Sequence, residues 1–183
     1  MKKKSRKRLP GDLADKEFIN EVIRVDHAGE YGAKRIYEGQ MAVLKNSKSF
    51  DTIKHMAEQE EEHLAYFSGE IAKRHVRPTA LMPVWHVGAF VMGAATALMG
   101  EKAAMACTVA VEEVIDEHYQ EQLAALGDDE VDLKRNIAKF REEELEHRDI
   151  GLENKAEEAA GYFFLRGAVR AATKMAIEIS KKV

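Results

Sequence analysis

The amino-acid sequence predicts an all-α chain, a four-helix bundle assembled from a duplicated helix pair with two additional helices laid against it. Three observations lead there. First, a carboxylate–histidine pattern occurs twice: Glu60-x-x-His63, within Glu58-Gln-Glu-Glu-Glu-His63, follows Glu30 by thirty residues, and Glu144-x-x-His147, within Glu142-Glu-Glu-Leu-Glu-His147, follows Glu112 by thirty-two. Second, Tyr37 and Gln40 lie seven and ten residues after Glu30, as Tyr119 and Gln122 do after Glu112, a displacement of 82 residues. Offsets of seven and ten return to one helix face, so a helix pair is repeated. Third, prolines occur only at 10, 78 and 83, which leaves room for long helices.

The first helix is expected from near Asp15 to about Leu44, with Asp12 or Asp15 as its cap. Asn46-Ser-Lys-Ser reads as a turn, and the second helix runs from about Phe50 to His75, stopping before Pro78. The third lies in Ala80–Gly100, twenty-one residues without a formal charge. The fourth covers about Glu101 to Leu126, followed by a Gly127-Asp-Asp turn, and the fifth runs from about Glu130 to Asn154. The sixth opens at Tyr162-Phe-Phe-Leu165 and continues to about residue 182. Turns this short make successive helices antiparallel.

The 183 residues predict one domain, residues 15–183, large enough for a substantial core. Residues 1–14, with six basic side chains among the first eight, read as a disordered basic tail and not as a secretory signal. A net charge of −4 and the absence of nucleic-acid motifs exclude a general nucleic-acid binder. The single Cys107 excludes an internal disulfide framework and fits a small buried apolar residue. Neither Gly-x-Gly-x-x-Gly nor a Walker-type loop is present, so no nucleotide-binding motif is visible.

The repeated pattern carries chemistry. Residues i and i+3 of an α-helix share a face, so Glu60 with His63 and Glu144 with His147 can each address one metal ion. Glu30 and Glu112 come from the other two helices to terminate or bridge. Four carboxylates neutralise two divalent cations, and a neutral cluster is what burial requires. Carboxylate and imidazole suit iron or manganese, and the lack of thiolates argues against structural zinc. Glu112 is chosen over Glu113 on the 82-residue register. Tyr119 and His118, within two turns of Glu112, are candidates to support the ligands, and His27 is a third. His55 and His75 read as surface residues.

The uncharged 80–100 segment has the length of a membrane span. Pro83, His86 and three glycines weaken it, and crossing would place the second and fourth helices on opposite sides of a bilayer. It is therefore expected to lie on or dip into a membrane, or to be buried as an internal core helix, without crossing, with Trp85 and His86 as interfacial anchors. In the sixth helix, Arg166, Arg170 and Lys174 form a basic stripe beside apolar residues, which suits the same surface or ordinary packing on the bundle.

Arg24-Val-Asp-His-Ala-Gly-Glu-Tyr-Gly-Ala33, Gln40-Met-Ala-Val-Leu44, Arg77-Pro-Thr-Ala-Leu-Met-Pro83, Met105-Ala-Cys-Thr-Val-Ala-Val-Glu-Glu113 and Glu143-Glu-Leu-Glu-His147 resemble the demethoxyubiquinone hydroxylase family, from about residue 18 to the C-terminus. The resemblance implies a ferritin-like bundle holding two iron ions per chain. It implies O2-dependent hydroxylation of a polyprenyl demethoxyubiquinone-type ring, the penultimate step of ubiquinone biosynthesis, with electrons from NADH or another reductant. It further implies a peripheral membrane protein on the cytoplasmic face of a bacterial inner membrane, or the matrix face of the mitochondrial one. Partners would be the polyprenyl quinone, the membrane surface through residues 80–100 and 162–182, and a second copy or other ubiquinone-biosynthesis proteins. A ferroxidase, a quinol oxidase and a metal-free lipid-binding scaffold are the competing readings; product analysis and metal content separate them.

Overall fold

The computed structural model describes residues 15–127 and 129–183, and all regular structure among them is helical. The basic 1–14 segment and the proposed Asp12 cap lie outside the described residues. Six α-helices follow in order: α1 (Asp15–Val43), α2 (Phe50–Arg74), α3 (Met82–Leu98), α4 (Glu101–Ala125), α5 (Val131–Glu153) and α6 (Tyr162–Ser180). A single 3-10 turn, Ala156–Glu158, joins the last two.

Local chemistry sets the boundaries. α2 ends where His75 adopts a left-handed conformation (φ 55°) and Val76 donates back to the Ile71 carbonyl, three residues ahead of Pro78. Pro83 sits in the first turn of α3, where a missing amide hydrogen costs nothing. Gly100, at φ 114°, turns the chain between α3 and α4, a conformation that favours glycine. At the α1–α2 turn, Ser49 donates through its amide (3.1 Å) and hydroxyl (2.5 Å) to Glu101 Oε2 at the start of α4.

Two antiparallel hairpins, α1/α2 and α4/α5, face each other, with α3 packed along α1 and α6 along α4. The α1–α3 contact is close because glycines meet backbone: a Cβ on Gly93 would lie 2.0 Å from the Ile36 carbonyl oxygen, and one on Gly39 would lie 2.2 Å from that of Phe90. α4 is the central helix, buried continuously from Ala103 to Glu112. Its small Ala, Cys, Thr and Val side chains let α1, α3, α5 and α6 approach. The core forms two apolar layers. One contains Ile23, Phe67, Leu133, Ile137 and Phe140; the other contains Tyr37, Ile53, Met56, Met105 and Ala156. The residues that carry the candidate chemistry lie between these layers along each bundle helix.

Of the two arrangements expected for the basic stripe of α6, the fold shows packing on the bundle. The stripe faces α4: Arg166 and Arg170 each donate to Glu113 at 2.7 Å, Arg170 also reaches Glu117 at 2.7 Å, and Lys174 Nζ lies 2.9 Å from Glu117. The cations are matched inside the fold and dock the helix; they do not form a free basic surface. Glu113, the alternative to Glu112, is thereby accounted for as an ion-pair partner. Most of the exposed large apolar side chains lie instead on α3 (Val84, Val87, Val91 and Leu98, with Met99 just past its end) and on α6 (Phe163, Phe164 and Met175); Val131, Leu152 and Val183 are the others among the described residues. No helix among the described residues is long and apolar enough to cross a membrane.

Candidate metal centre

Each of the four bundle helices brings carboxylates or imidazoles to one buried layer. α1 supplies Glu30, α2 Glu60 and His63, α4 Glu112, and α5 Glu144 and His147; all six are buried. They form two overlapping clusters, Glu30–Glu60–His63–Glu144 and Glu60–Glu112–Glu144–His147, whose donor atoms lie within 4.8 Å of one another. Glu60 and Glu144 belong to both. His63 Nδ1 lies 3.4 Å from Glu30, 3.8 Å from Glu60 and 3.2 Å from Glu144. His147 Nδ1 lies 3.3 Å from the other oxygen of Glu60 and 3.2 Å from the other oxygen of Glu144. Sequence reasoning left Glu30 and Glu112 to terminate or bridge; the geometry puts them at the two ends and the Glu-x-x-His glutamates between.

The fit to cations can be read from unsatisfied atoms. Both oxygens of Glu60, Oε2 of Glu112, Oε2 of Glu144, and Nδ1 of His63 and His147 are buried without a hydrogen-bond partner. Such groups are rare and costly unless something unaccounted for satisfies them. Here they converge. Two divalent cations would satisfy every one and cancel the four carboxylate charges. With oxygen and nitrogen donors and no thiolate, the set suits iron or manganese.

Surrounding residues fix the orientation of these donors. His63 Nε2 lies 2.9 Å from Glu143 Oε2, and His147 Nε2 lies 2.9 Å from Gln59 Oε1. Each acceptor holds the ring proton on Nε2, leaving the Nδ1 lone pair pointed at the cluster. Tyr37 on α1 donates to Glu112 Oε1 at 2.9 Å, and Tyr119 on α4 donates to Glu30 Oε1. Each tyrosine thus occupies one carboxylate oxygen and leaves Oε2 for a ligand. Phe140 packs over His63 with ring centroids 4.2 Å apart and helps close the layer to water.

Electrostatics agree with an electron-rich, desolvated layer. Burial, reinforced by Glu144, pushes the Glu60 and Glu112 carboxyls well above the usual carboxylate range. Burial acts the same way on Glu144, but the two imidazoles beside it override this and hold that carboxyl at about 2. For His63 burial opposes protonation, yet the adjacent Glu144 and Glu30 carboxylates raise it to about 12. Burial and the neighbouring carboxylates push both tyrosine hydroxyls well above their normal range. Without cations the cluster therefore retains protons.

The remaining sequence candidates lie outside the clusters. His118 Nε2 is 2.9 Å from Gln122 Nε2 and 3.6 Å from Asp26 Oδ1, and Gln122 donates to Asp26 at 2.6 Å. His118 is therefore tied to Gln122 and Asp26 and belongs to neither cluster. His27 is half-buried one turn before Glu30, its enclosed Nδ1 unpartnered and its pKa drawn down by burial. His55 and His75 are exposed. His86 stacks on Tyr31 and shares a 2.6 Å hydrogen bond with it, so it braces α3 against α1. Sequence reasoning missed Gln59 and Glu143 as histidine partners. Their signal was available, since both immediately precede the glutamate of a Glu-x-x-His motif.

An apolar cavity of about 220 Å³ lies beside this layer, between α1, α3, α4 and α6. Gly29 and Val111, adjacent in sequence to Glu30 and Glu112, are among its lining residues. Val84 and Met175 line it too and are more than half exposed, so it opens between the outward apolar faces of α3 and α6.

Comparison with known proteins places this geometry in context. Residues 17–180 match the family model described as ubiquinone biosynthesis protein COQ7. The 3-demethoxyubiquinol 3-hydroxylase of Rhodospirillum rubrum is 53% identical over 183 residues, covering 100% of this chain and 86% of the relative. The human mitochondrial NADPH-dependent 3-demethoxyubiquinone 3-hydroxylase is 47% identical over 176 residues, 94% of this chain and 81% of the relative. The yeast mitochondrial 5-demethoxyubiquinone hydroxylase is 38% identical over 187 aligned positions, 93% of this chain and 80% of the relative.

Proposed function

This chain belongs to the COQ7 family of ubiquinone-biosynthesis proteins, and we infer that it hydroxylates the ring of a polyprenyl demethoxyubiquinol-type precursor with two iron ions and O2. The hydroxylase activity follows from the family and from close relatives that bear that name. Iron and O2 rest on the site. The observation that carries them is the pair of overlapping donor clusters sharing Glu60 and Glu144.

Glu30 and His63 would complete one metal position and Glu112 and His147 the other, with Glu60 and Glu144 shared between them. Iron held there would supply O2 activation, the net reaction consuming two electrons and two protons from a reductant and leaving one oxygen on the ring carbon and the other in water. The protein contributes orientation and exclusion. Tyr37 and Tyr119 hold the two end glutamates by one oxygen each, and Glu143 and Gln59 hold the histidine tautomers. Tyr119 supports Glu30 directly, while His118 acts one layer further out through Gln122 and Asp26. The apolar layers on either side keep the centre dry.

The cavity suits the other reactant. Its walls are apolar and its mouth lies between exposed Val84 and Met175, so a ring can enter while a polyprenyl tail remains among apolar surroundings. The outward apolar faces of α3 and α6 make that surrounding a bilayer surface. On this reading the protein is peripheral to the membrane holding its substrate, on the cytoplasmic face in a bacterium or the matrix face in a mitochondrion. Electrons come from a reduced nicotinamide or another reductant; several relatives are named NADPH-dependent.

Turnover of a short-chain demethoxyubiquinol by iron-loaded protein, followed by mass analysis, tests the reading. A product heavier by one oxygen atom is expected. Oxidised quinol of unchanged skeleton would instead identify a quinol oxidase.

A further inference from the structure

The duplicated site is symmetric in its ligands and differs behind them, one difference falling on the hydrogen-bond partners of the two histidines. Glu60 and His63 correspond to Glu144 and His147 through a shift of 84 residues, and the same shift relates Gln59 to Glu143. These two residues reach across the bundle reciprocally: Gln59 of α2 meets His147 of α5, and Glu143 of α5 meets His63 of α2, both at 2.9 Å. The end glutamates are treated alike, each receiving a tyrosine hydroxyl. At the histidines the treatment differs. His63 donates to a carboxylate and His147 to a neutral amide.

That difference has a direct consequence for ligand strength. A carboxylate accepting the Nε2 proton draws the imidazole towards imidazolate character, which raises the donor power of Nδ1; an amide oxygen does so far less. The carboxylate also brings a negative charge towards the cation: Glu143 is 22% exposed, and Lys139 Nζ, 3.2 Å from its other oxygen, offsets part of that charge without removing it. Gln59 adds no charge to the opposite position.

We propose that the two metal positions are inequivalent, the Glu30–His63 position being the tighter because Glu143 stands behind His63 where Gln59 stands behind His147. Glu143 and Gln59 are positioning residues, acting through the histidines they hold. The proposal rests on the binuclear reading above. It predicts ordered filling, with the first ion entering beside Glu30 and His63 and the second beside Glu112 and His147.

Anaerobic calorimetric titration of the full chain with Fe(II) tests it, using wild type, Glu143→Gln and Gln59→Glu. Two steps are expected for the wild type, separated by about tenfold or more in affinity. Glu143→Gln should weaken the tighter step by about tenfold and leave the other in place, while Gln59→Glu should tighten the weaker step. The two variants thus narrow the same gap from opposite sides, which a merely structural role would not produce. Two irons binding in one unresolved wild-type step, or both variants shifting both steps equally, would overturn the inequivalence while leaving the binuclear centre standing. A wild-type chain that binds no iron would overturn the centre itself, and this proposal with it.

Discussion

Tyr37 and Glu112, 75 residues apart, meet across the bundle at 2.9 Å, and their counterparts Tyr119 and Glu30 meet in the mirrored direction. Each bond joins α1 to α4, so the hairpins are tied together by the groups that orient the end ligands. A hydrogen bond to a buried charged group contributes about 1.5–3 kcal/mol. Tyr37→Phe should therefore reduce iron retention at the Glu112–His147 position by about tenfold. Iron per chain after dialysis against a weak chelator measures it, and Tyr119→Phe should act on the Glu30–His63 position.

The glycine contact between α1 and α3 predicts a packing defect. A methyl group on Gly93 would lie 2.0 Å from the Ile36 carbonyl oxygen, so one helix must move. Gly93→Ala should cost about 1–3 kcal/mol, lowering Tm by about 2–4 °C per kcal/mol in a domain of this size. Gly69→Ala, inside α2 with open space around its position, is the control: thermal denaturation should show no loss, and a rise in Tm corresponding to about 0.5–1 kcal/mol from the better helix former.

Much of the fold was legible because its signals are local. Pro78, Gly100 and Gly127 punctuate the helices, and the i, i+3 spacing with the 82-residue register picked six acidic and imidazole side chains that the structure brings into one layer. The role of the α6 cations was not legible. Arg166, Arg170 and Lys174 form the same stripe whether they meet lipid or acid, and their partners Glu113 and Glu117 lie more than fifty residues away. Phe90 belongs to the uncharged 80–100 run, and nothing local marks it as covered; Arg35, fifty-five residues earlier, lies 4.8 Å over its ring.

That last point directs the membrane test. Phe163, at 87% exposure, and Val87, at 60%, are outward-facing apolar residues. Withdrawing a large apolar side chain from a bilayer costs about 1.5–3 kcal/mol, so Phe163→Asp combined with Val87→Asp should lower binding to anionic liposomes by about tenfold or more. Cosedimentation measures it, and unchanged binding would remove α3 and α6 from the membrane-facing role. Phe90→Asp should chiefly destabilise the α1–α3 contact.

Metal loading should depend on pH with a defined sign. In the metal-free protein Glu60 and Glu112 hold protons well above the normal carboxylate range and His63 does so up to about 12. Cations must displace those protons, so affinity rises with pH. These raised pKa values contribute stability to the metal-free fold that is complete below the unfolded values and is lost as pH rises through the folded ones. Glu144, held at about 2, acts in the opposite sense, losing its contribution only in strong acid. The Tm gap between iron-loaded and metal-free protein should therefore widen between about pH 5 and about pH 8. Calorimetry in buffers of different ionisation enthalpy should show protons released on binding.

The central claim is that Glu60 and Glu144 are shared by two iron ions. Mössbauer spectroscopy of oxidised, ⁵⁷Fe-loaded protein at liquid-helium temperature, with iron content measured on the same sample, tests it most directly. Two ferric ions joined through shared ligands should couple antiferromagnetically, giving two irons per chain and quadrupole doublets without magnetic splitting. One iron per chain, or two with the magnetically split spectra of isolated ferric ions, would contradict it.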